Sequence, residues 1–300
     1  MHINYSIIIP HRASINLLKR AIDSIPDRED IQVLVIDNTP HQIDFSLLDS
    51  NRINKALFYY SDLEKGAGHA RNIGLNYATG EWLLFLDADD FFTKEAFEHF
   101  DKYIHTDYDI IYFSSTSLSS DTLKKADRHK YYTRIVNDYV LGKENAEDKL
   151  RFTYSSPCSK LVKNKLIKEN AIQFDEVPAS NDLMFSIKSG YFANKVYADN
   201  FTAYCMTVNN GSLTRTITKK NSRSRYSVYI QQYKFMTAIG KPQFRFELMS
   251  VVINSLHFGV KEFFWYISKA HKEKVNIFLG VTRLPLTLIN YFKKKRGNTN

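Results

Sequence analysis

The stretch Glu81-Trp-Leu-Leu-Phe-Leu-Asp-Ala-Asp-Asp90 runs from an unbroken apolar core straight into three carboxylates. Glu81 to Leu86 has the pattern of a strand covered on both faces, which shows no alternation of apolar and polar positions. Asp87 and Asp89 then follow at i and i+2, with the small Ala88 between them. Two carboxylates leaving one turn after a buried strand point into one crevice. Carboxylate oxygens suit Mg2+ or Mn2+, and such a cation neutralises a nucleotide diphosphate before it departs. The other reading of the same acids is a capped helix start. Asp90 or Thr93 would then precede a helix over Thr93 to Tyr103.

Outward from this stretch, strand and helix signals alternate. Tyr5 to Ile9 is a short β-branched run that Pro10 is expected to end. Ser14 to Ser24 carries Ile15, Leu18, Ala21, Ile22 and, just beyond, Ile25 at helical spacing, with Ser14 as N-cap. Gln32 to Ile36 and Ala56 to Tyr60 are further strands, and Tyr108 to Phe113 is a fifth. Ala67 to Ala78 is a helix, for which Gly80 serves as the residue past its end. Alternation of this kind predicts an α/β fold: a mixed, mainly parallel sheet with helices on both faces. Ligands of such sheets bind beyond the carboxyl ends of the strands. Arg12, Asp37 and the Asp87–Asp90 group all fall at such ends. Ser114 to Lys149 lacks clear periodicity and reads as a polar surface insertion. From Asn221 onward the pattern is helical, aromatic and basic, with helices over Phe244 to Ser268 and Lys272 to Lys295.

Gly66-Ala-Gly-His-Ala-Arg-Asn-Ile-Gly74, followed by Ala78-Thr-Gly-Glu-Trp-Leu-Leu-Phe-Leu-Asp-Ala-Asp-Asp90, closely resembles the family 2 glycosyltransferases of the GT-A fold. Weaker parts of the pattern are Ile7-Ile-Ile-Pro10, Val33-Leu-Val-Ile-Asp37, Cys158-Ser-Lys-Leu-Val162, Ser180-Asn-Asp-Leu-Met-Phe185 and Asn210-Gly-Ser-Leu-Thr-Arg215. All fall in family order over residues 4 to 215. The resemblance implies donor contacts at Pro10, Arg12, Asp37 and Arg71, with Asp37 and Arg71 near the nucleobase. It places Asp87 at the ribose and metal and Asp89 on the metal. Ser212 and Arg215 fall on a loop able to close over diphosphate or acceptor. Asp182 takes the place of the catalytic base for an inverting transfer. Asn181 replaces the acid that usually precedes it, which removes a like charge and should lower the pKa of Asp182 relative to a two-acid site. His11-Arg12-Ala13 stands where the family has Thr-Tyr-Asn, and Asp37-Asn38 replaces a pair of acids. His69 reads as a packing or hydrogen-bonding residue. Asp182 has an alternative reading as a helix N-cap.

The expected division is a catalytic domain over 1–220 and a helical, basic extension over 221–300. Within the former, 1–113 forms the nucleotide-binding half and 150–215 the acceptor and base half. Hydrophobic residues make up 44% of the chain, too many for a disordered one. Two cysteines, Cys158 and Cys205, are too few for a disulfide framework and read as free thiols. No signal peptide and no run of eighteen apolar residues stand out, so a cytoplasmic protein is expected, peripheral at most on the inner face of the plasma membrane. The net charge of +9 favours anionic partners. One basic cluster is Lys219, Lys220, Arg223 and Arg225, and another is Lys293 to Arg296. Each cluster reads as a solvated face, and the aromatic helices read either as a stripe packed on the catalytic domain or, with Trp265, Tyr266, Tyr291 and the terminal cluster, as a surface that touches an anionic membrane. The implied reaction moves a sugar from a nucleotide-sugar donor, uridine-linked by family default, to a hydroxyl of a glycan, lipid-linked or protein-linked acceptor in surface polysaccharide synthesis. Two alternatives stay open. A metal-dependent nucleotidyltransferase shares the sheet but lacks a glycine-rich phosphate loop after the first strand. A nucleic-acid-binding protein fits the charge but shows no recognised binding motif.

Overall fold

A computed structural model describes residues 2–12, 14–39, 56–61, 65–208 and 218–278. The chain divides into two compact units, Met1–Arg215 and Thr216–Asn300.

In the first unit the described residues form one eight-stranded sheet of order β3-β2-β1-β4-β7-β6-β8-β5. Its first half consists of β1 (Tyr5–His11), β2 (Ile31–Asp37), β3 (Leu57–Tyr60) and β4 (Trp82–Phe85), all parallel. The other half holds β5 (Phe91–Phe92), β6 (Ile110–Ser119), β7 (Lys160–Lys163) and β8 (Val196–Val208). There β7 is antiparallel to both β4 and β6, β8 is parallel to β6, and β5 is antiparallel to β8. Ile7, Ile8 and Ile9 are all fully buried. Neighbouring strand residues point to opposite faces, so both faces of β1 are covered.

Contrary to the sequence expectation, β1 does not stop at Pro10. Ile8 turns its carbonyl toward β4, accepting from the Leu86 amide at 3.1 Å, and Pro10, two residues on, faces the same way. There β4 has already ended, so the missing proline N–H costs no ladder bond. Helix α1 (Ile15–Asp23) follows, then α2 (Gly66–Tyr77). Gly80 is not a left-handed cap, because α2 ends in an extended Ala78. A Cβ at Gly80 would instead lie 2.5 Å from the Ser6 amide nitrogen, so a close backbone approach demands the glycine.

The acids after β4 do not start a long helix. Phe91 and Phe92 pair with β8 first, and only then comes the short α3 (Ala96–Phe100), extended by a 3-10 turn over Asp101–Tyr103. The Ser114 to Lys149 segment is not a surface insertion either. β6 runs on to Ser119, and α4 (Lys130–Val140) and α5 (Ala146–Thr153) follow. Buried Ile135 and Val136 with half-buried Tyr132 and Tyr139 anchor α4 on the sheet. The unit is completed by α6 (Asn164–Glu169) and α7 (Leu183–Phe192).

The second unit holds α8 (Lys219–Ala238), α9 (Leu248–Asn254) and α10 (Val260–Lys272). Thr218 caps α8, its hydroxyl oxygen accepting from the Asn221 amide at 3.1 Å. The single helix expected over Phe244 to Ser268 is broken at Gly259, whose φ of 99° is unfavourable for other residues. Tyr226, Ile230, Leu248, Val252 and Tyr266 form its core. Arg223 is no solvated charge: its guanidinium donates twice to the buried Glu262, at 2.7 and 2.8 Å, and lies over Trp265. Among the described residues no helix is long and apolar enough to cross a membrane.

Candidate active site

The strand-to-turn junction after β4 builds the acidic centre. The Asp90 amide donates to the Asp87 carbonyl at 2.9 Å, closing a turn that carries Asp87, Ala88 and Asp89. Carboxylate oxygens of Asp87, Asp89 and Asp90 lie within 4.8 Å of one another. They are not equivalent. Asp90 is buried, and its two oxygens accept from the Tyr204 hydroxyl at 2.9 Å and the Thr207 amide at 2.6 Å. It thereby ties the turn to β8. The Tyr204 hydroxyl also accepts from the Asp87 amide, and Thr207 Oγ1 donates to the Asp89 carbonyl. Asp87 and Asp89 are half-buried and present the carboxylates that remain.

Electrostatics fit a cation here. Burial, and then the Asp87 charge, push the Asp89 carboxyl above its ordinary range. Burial, and then Asp89 and Asp87, push Asp90 well above it. Carboxylates crowded this closely resist joint ionisation unless positive charge joins them. Oxygen-only ligands of this kind match the hard cations Mg2+ and Mn2+.

Arg71, buried on α2, reaches into this centre. One guanidinium nitrogen donates to Asp87 at 2.6 Å and the other to the Asn181 side-chain oxygen at 3.0 Å, while the group lies over the Phe174 ring. It therefore joins the Asp87 turn to the segment that carries Asp182. Asn181, in place of an acid, serves as a neutral acceptor for that bridge.

Asp182 stands at the N-cap position of α7, yet its side chain makes no capping bond. Its carboxylate is left to line a cleft of about 530 Å3 together with Asp87, Cys158, Tyr132, Ser156 and Arg128. Burial raises its pKa above the ordinary carboxylate value, and Arg71 partly offsets that rise. The missing acidic neighbour spares Asp182 a further upward push, but burial dominates. A carboxylate with a raised pKa is a better proton acceptor.

The other sequence candidates fall elsewhere. Asp37 is buried at the end of β2. Its Oδ1 meets His11 Nδ1 at 2.9 Å and accepts from the Thr39 amide at 3.2 Å, while its Oδ2 has no partner among the described residues. Pro10 is half-buried within β1, and Arg12 is exposed just beyond it. His69 bonds Glu176 at 2.7 Å. Ser212 and Arg215 lie outside the described residues.

Two features escaped the sequence reading. The segment Ala126 to Tyr132, with Arg128, Tyr131 and Tyr132, forms one cleft wall. The apolar spacing of Tyr132, Ile135, Val136 and Tyr139 was its available signal. Beneath the cleft Lys160 is buried, donating to the Tyr154 carbonyl at 2.8 Å, with its ammonium over the rings of Tyr112 and Tyr154. Burial pushes its pKa down to about 7.

The family model described as glycosyl transferase family 2 matches residues 6–170, more than half of the chain. The chain belongs to glycosyl transferase family 2. This family 2 chain is similar to the poly(ribitol-phosphate) β-N-acetylglucosaminyltransferase TarS of Staphylococcus aureus, at 24% identity over 67% of the chain and 35% of that protein. It is also similar to the glycosyltransferase GlyA of Streptococcus pneumoniae, at 21% identity over 79% of the chain and 35% of that protein. The chain thus spans about a third of the length of these curated relatives. A crystal structure of S. aureus TarS residues 1–349 in complex with UDP-GlcNAc superposes with a TM-score of 0.63 at 20% identity, covering 86% of this chain and 76% of that one. A mannosyltransferase from Pyrobaculum calidifontis, in complex with GDP-Man and Mn2+, superposes at 0.57 with 14% identity, covering 100% and 89%. The fold is therefore the GT-A fold of this family, with a helical C-terminal part.

Proposed function

We propose that the chain is a metal-dependent, inverting glycosyltransferase that moves a sugar from a nucleotide-diphosphate sugar to an acceptor hydroxyl. The observation that carries this reading is the position of Asp182: a carboxylate that caps nothing, opposite the Asp87 turn in one cleft. Asp87 and Asp89 would hold the cation, which supplies Lewis-acid charge to the departing diphosphate. Arg71 keeps the Asp87 carboxylate in place through its bond to that group. Asp37, whose buried Oδ2 has no partner among the described residues, is the acid that the family resemblance puts at the nucleobase. The acceptor hydroxyl attacks the anomeric carbon from the face opposite the diphosphate. As the bond to the diphosphate oxygen breaks, the hydroxyl proton passes to Asp182.

Uridine is the favoured nucleotide, a choice supported by the UDP-GlcNAc and UDP complexes of TarS. The acceptor class is a surface polymer. Relatives named for poly(ribitol-phosphate) support one built of phosphodiester-linked polyols. Residues 1–220 carry the reaction, and the basic extension 221–300 brings the enzyme to an anionic membrane surface where such polymers are assembled.

Asp182→Asn keeps size and hydrogen bonding but cannot take the proton. It should bind nucleotide-sugar nearly as the wild type does and transfer sugar roughly 10²–10⁴-fold more slowly. Proton NMR of the product should show the anomer opposite to the donor's. A retained anomer, or normal transfer by the variant, sinks the base assignment.

A further inference from the structure

The cleft itself is lined mainly by acids, but the segment that leads out of it on either side of Arg128 is basic. Among the cleft-lining residues Arg128 is the one cation, set among the carboxylates of Asp87, Asp90, Asp127 and Asp182. Its guanidinium donates to the Thr207 carbonyl at 3.1 Å and lies in the field of Asp90, Asp87 and Asp89, while the segment on either side of it is largely exposed. Lys124, Lys125, Lys130 and Arg134 accompany it within eleven residues, against the single acid Asp127. Lys130 engages that acid at 2.9 Å and Arg128 faces the cleft acids, so Lys124, Lys125 and Arg134 are the cations in excess on the rim.

The placement is built, not incidental. The Ser119 amide donates to the Lys124 carbonyl at 2.8 Å and the Ala126 amide to the Ser117 carbonyl at 2.9 Å. Leu118 and Lys125 form an antiparallel bridge. The turn is thus folded back on β6, and Lys124 and Lys125 immediately precede the cleft-lining Ala126. Beyond them Tyr131 is 47% exposed, with the Arg134 guanidinium 5.8 Å from its ring centre. A flat, exposed aromatic face flanked by cations suits a chain in which hydroxyl-bearing carbons alternate with anionic groups.

A donor diphosphate does not account for this surface. One nucleotide needs the acidic turn and its cation, whereas Lys124, Lys125, Lys130 and Arg134 are solvent-exposed and none of them lines the cleft. We infer that the rim from Lys124 to Arg134 is an acceptor subsite for a polyanion of phosphodiester-linked polyols. Arg128 meets the phosphate next to the reacting hydroxyl, and Lys124 and Lys125 meet phosphates farther along the chain. The inference rests on the glycosyltransferase reading for its meaning but is tested separately from it.

The test is fluorescence anisotropy with a short tagged poly(glycerol phosphate), and with a tagged neutral polyol of equal length. Metal-dependent UDP binding is read in parallel. The wild type should bind the phosphodiester more tightly than the neutral chain, and less tightly as salt rises. Lys124→Glu with Lys125→Glu should weaken that binding about tenfold, each reversal acting on an exposed charge contact. Arg128→Gln should also weaken it, and Lys124→Gln with Lys125→Gln should fall between the wild type and the reversal. Equal affinity for both polymers, no binding by the wild type, or unchanged affinity in the charge variants overturns the inference. So does a loss of UDP affinity in Arg128→Gln that matches its loss of phosphodiester affinity, since Arg128 would then serve the donor. If the wild type binds the phosphodiester but not UDP, the glycosyltransferase reading fails and the subsite stands.

Discussion

Lys160 is buried beneath the cleft without a carboxylate within ion-pair reach among the described residues. Its proton is retained only to about pH 7, against 10.5 for an ordinary lysine. Between those values the unfolded chain binds more protons than the folded one, so stability should rise with pH across that window and be lost as pH falls through about 7. Lys160→Met removes the titration while keeping an unbranched side chain. Thermal unfolding should therefore favour the variant, relative to wild type, more at about pH 6 than at about pH 9. Parallel curves at the two values contradict the burial argument. This lysine also marks a limit of the sequence: its place in Cys158-Ser-Lys-Leu-Val162 suits family order, but nothing local says that two tyrosine rings will enclose it. Asp87, Asp89 and Asp182 could be picked out as candidates from the sequence because each sits at a strand or helix end with a fixed motif around it. The bracing role of Asp90 was not, since it depends on β8 arriving from more than a hundred residues away.

At the scale of elements, α2 lies on β1 because Gly74 has no side chain. A Cβ there would sit 2.5 Å from Ile8 Cγ2, in a core with no space to yield. Gly74→Ala should destabilise the protein by about 1–3 kcal/mol in urea unfolding, as overpacking does. Ile8→Val, by trimming the opposing side chain, should recover part of the loss; independent, additive effects would place the clash elsewhere. The strands and α2 were readable from periodicity, because a buried parallel strand is a continuous apolar run and a core-facing helix is not. The ends of elements were harder. Pro10 seemed to close β1, yet it continues the strand because the neighbouring strand stops first. Gly80 resembled a helix cap, yet it is set by the backbone of Ser6. The segment after Phe113 looked featureless because β6 buries the polar Ser114, Ser115 and Ser117 where apolar residues would mark a strand, leaving only a thin apolar stripe on α4.

Over the whole molecule the chain forms two compact units. The first carries every described residue of the proposed site, and the second is a helical unit organised around the buried Glu262 and its Arg223 clamp. The sequence showed the helical, basic character of the second unit, but not that Arg223 would be an internal partner, because that pairing links α8 to α10. The terminal cluster Lys293 to Arg296 lies outside the described residues. Deleting residues 293–300 should reduce sedimentation with anionic vesicles at low salt, with the difference vanishing as salt screens the charges. Equal sedimentation leaves the tail as a solvated terminus. The central claim, that the acidic turn after β4 grips a nucleotide diphosphate through a divalent cation, is tested most directly by calorimetric titration of UDP, GDP and dTDP sugars in Mn2+ and in EDTA. The prediction is that at least one donor, the uridine one first, binds in Mn2+, and that its binding collapses both in EDTA and in a stably folded Asp89→Asn variant. Binding of equal strength with and without the cation, or undiminished in that variant, would contradict the account.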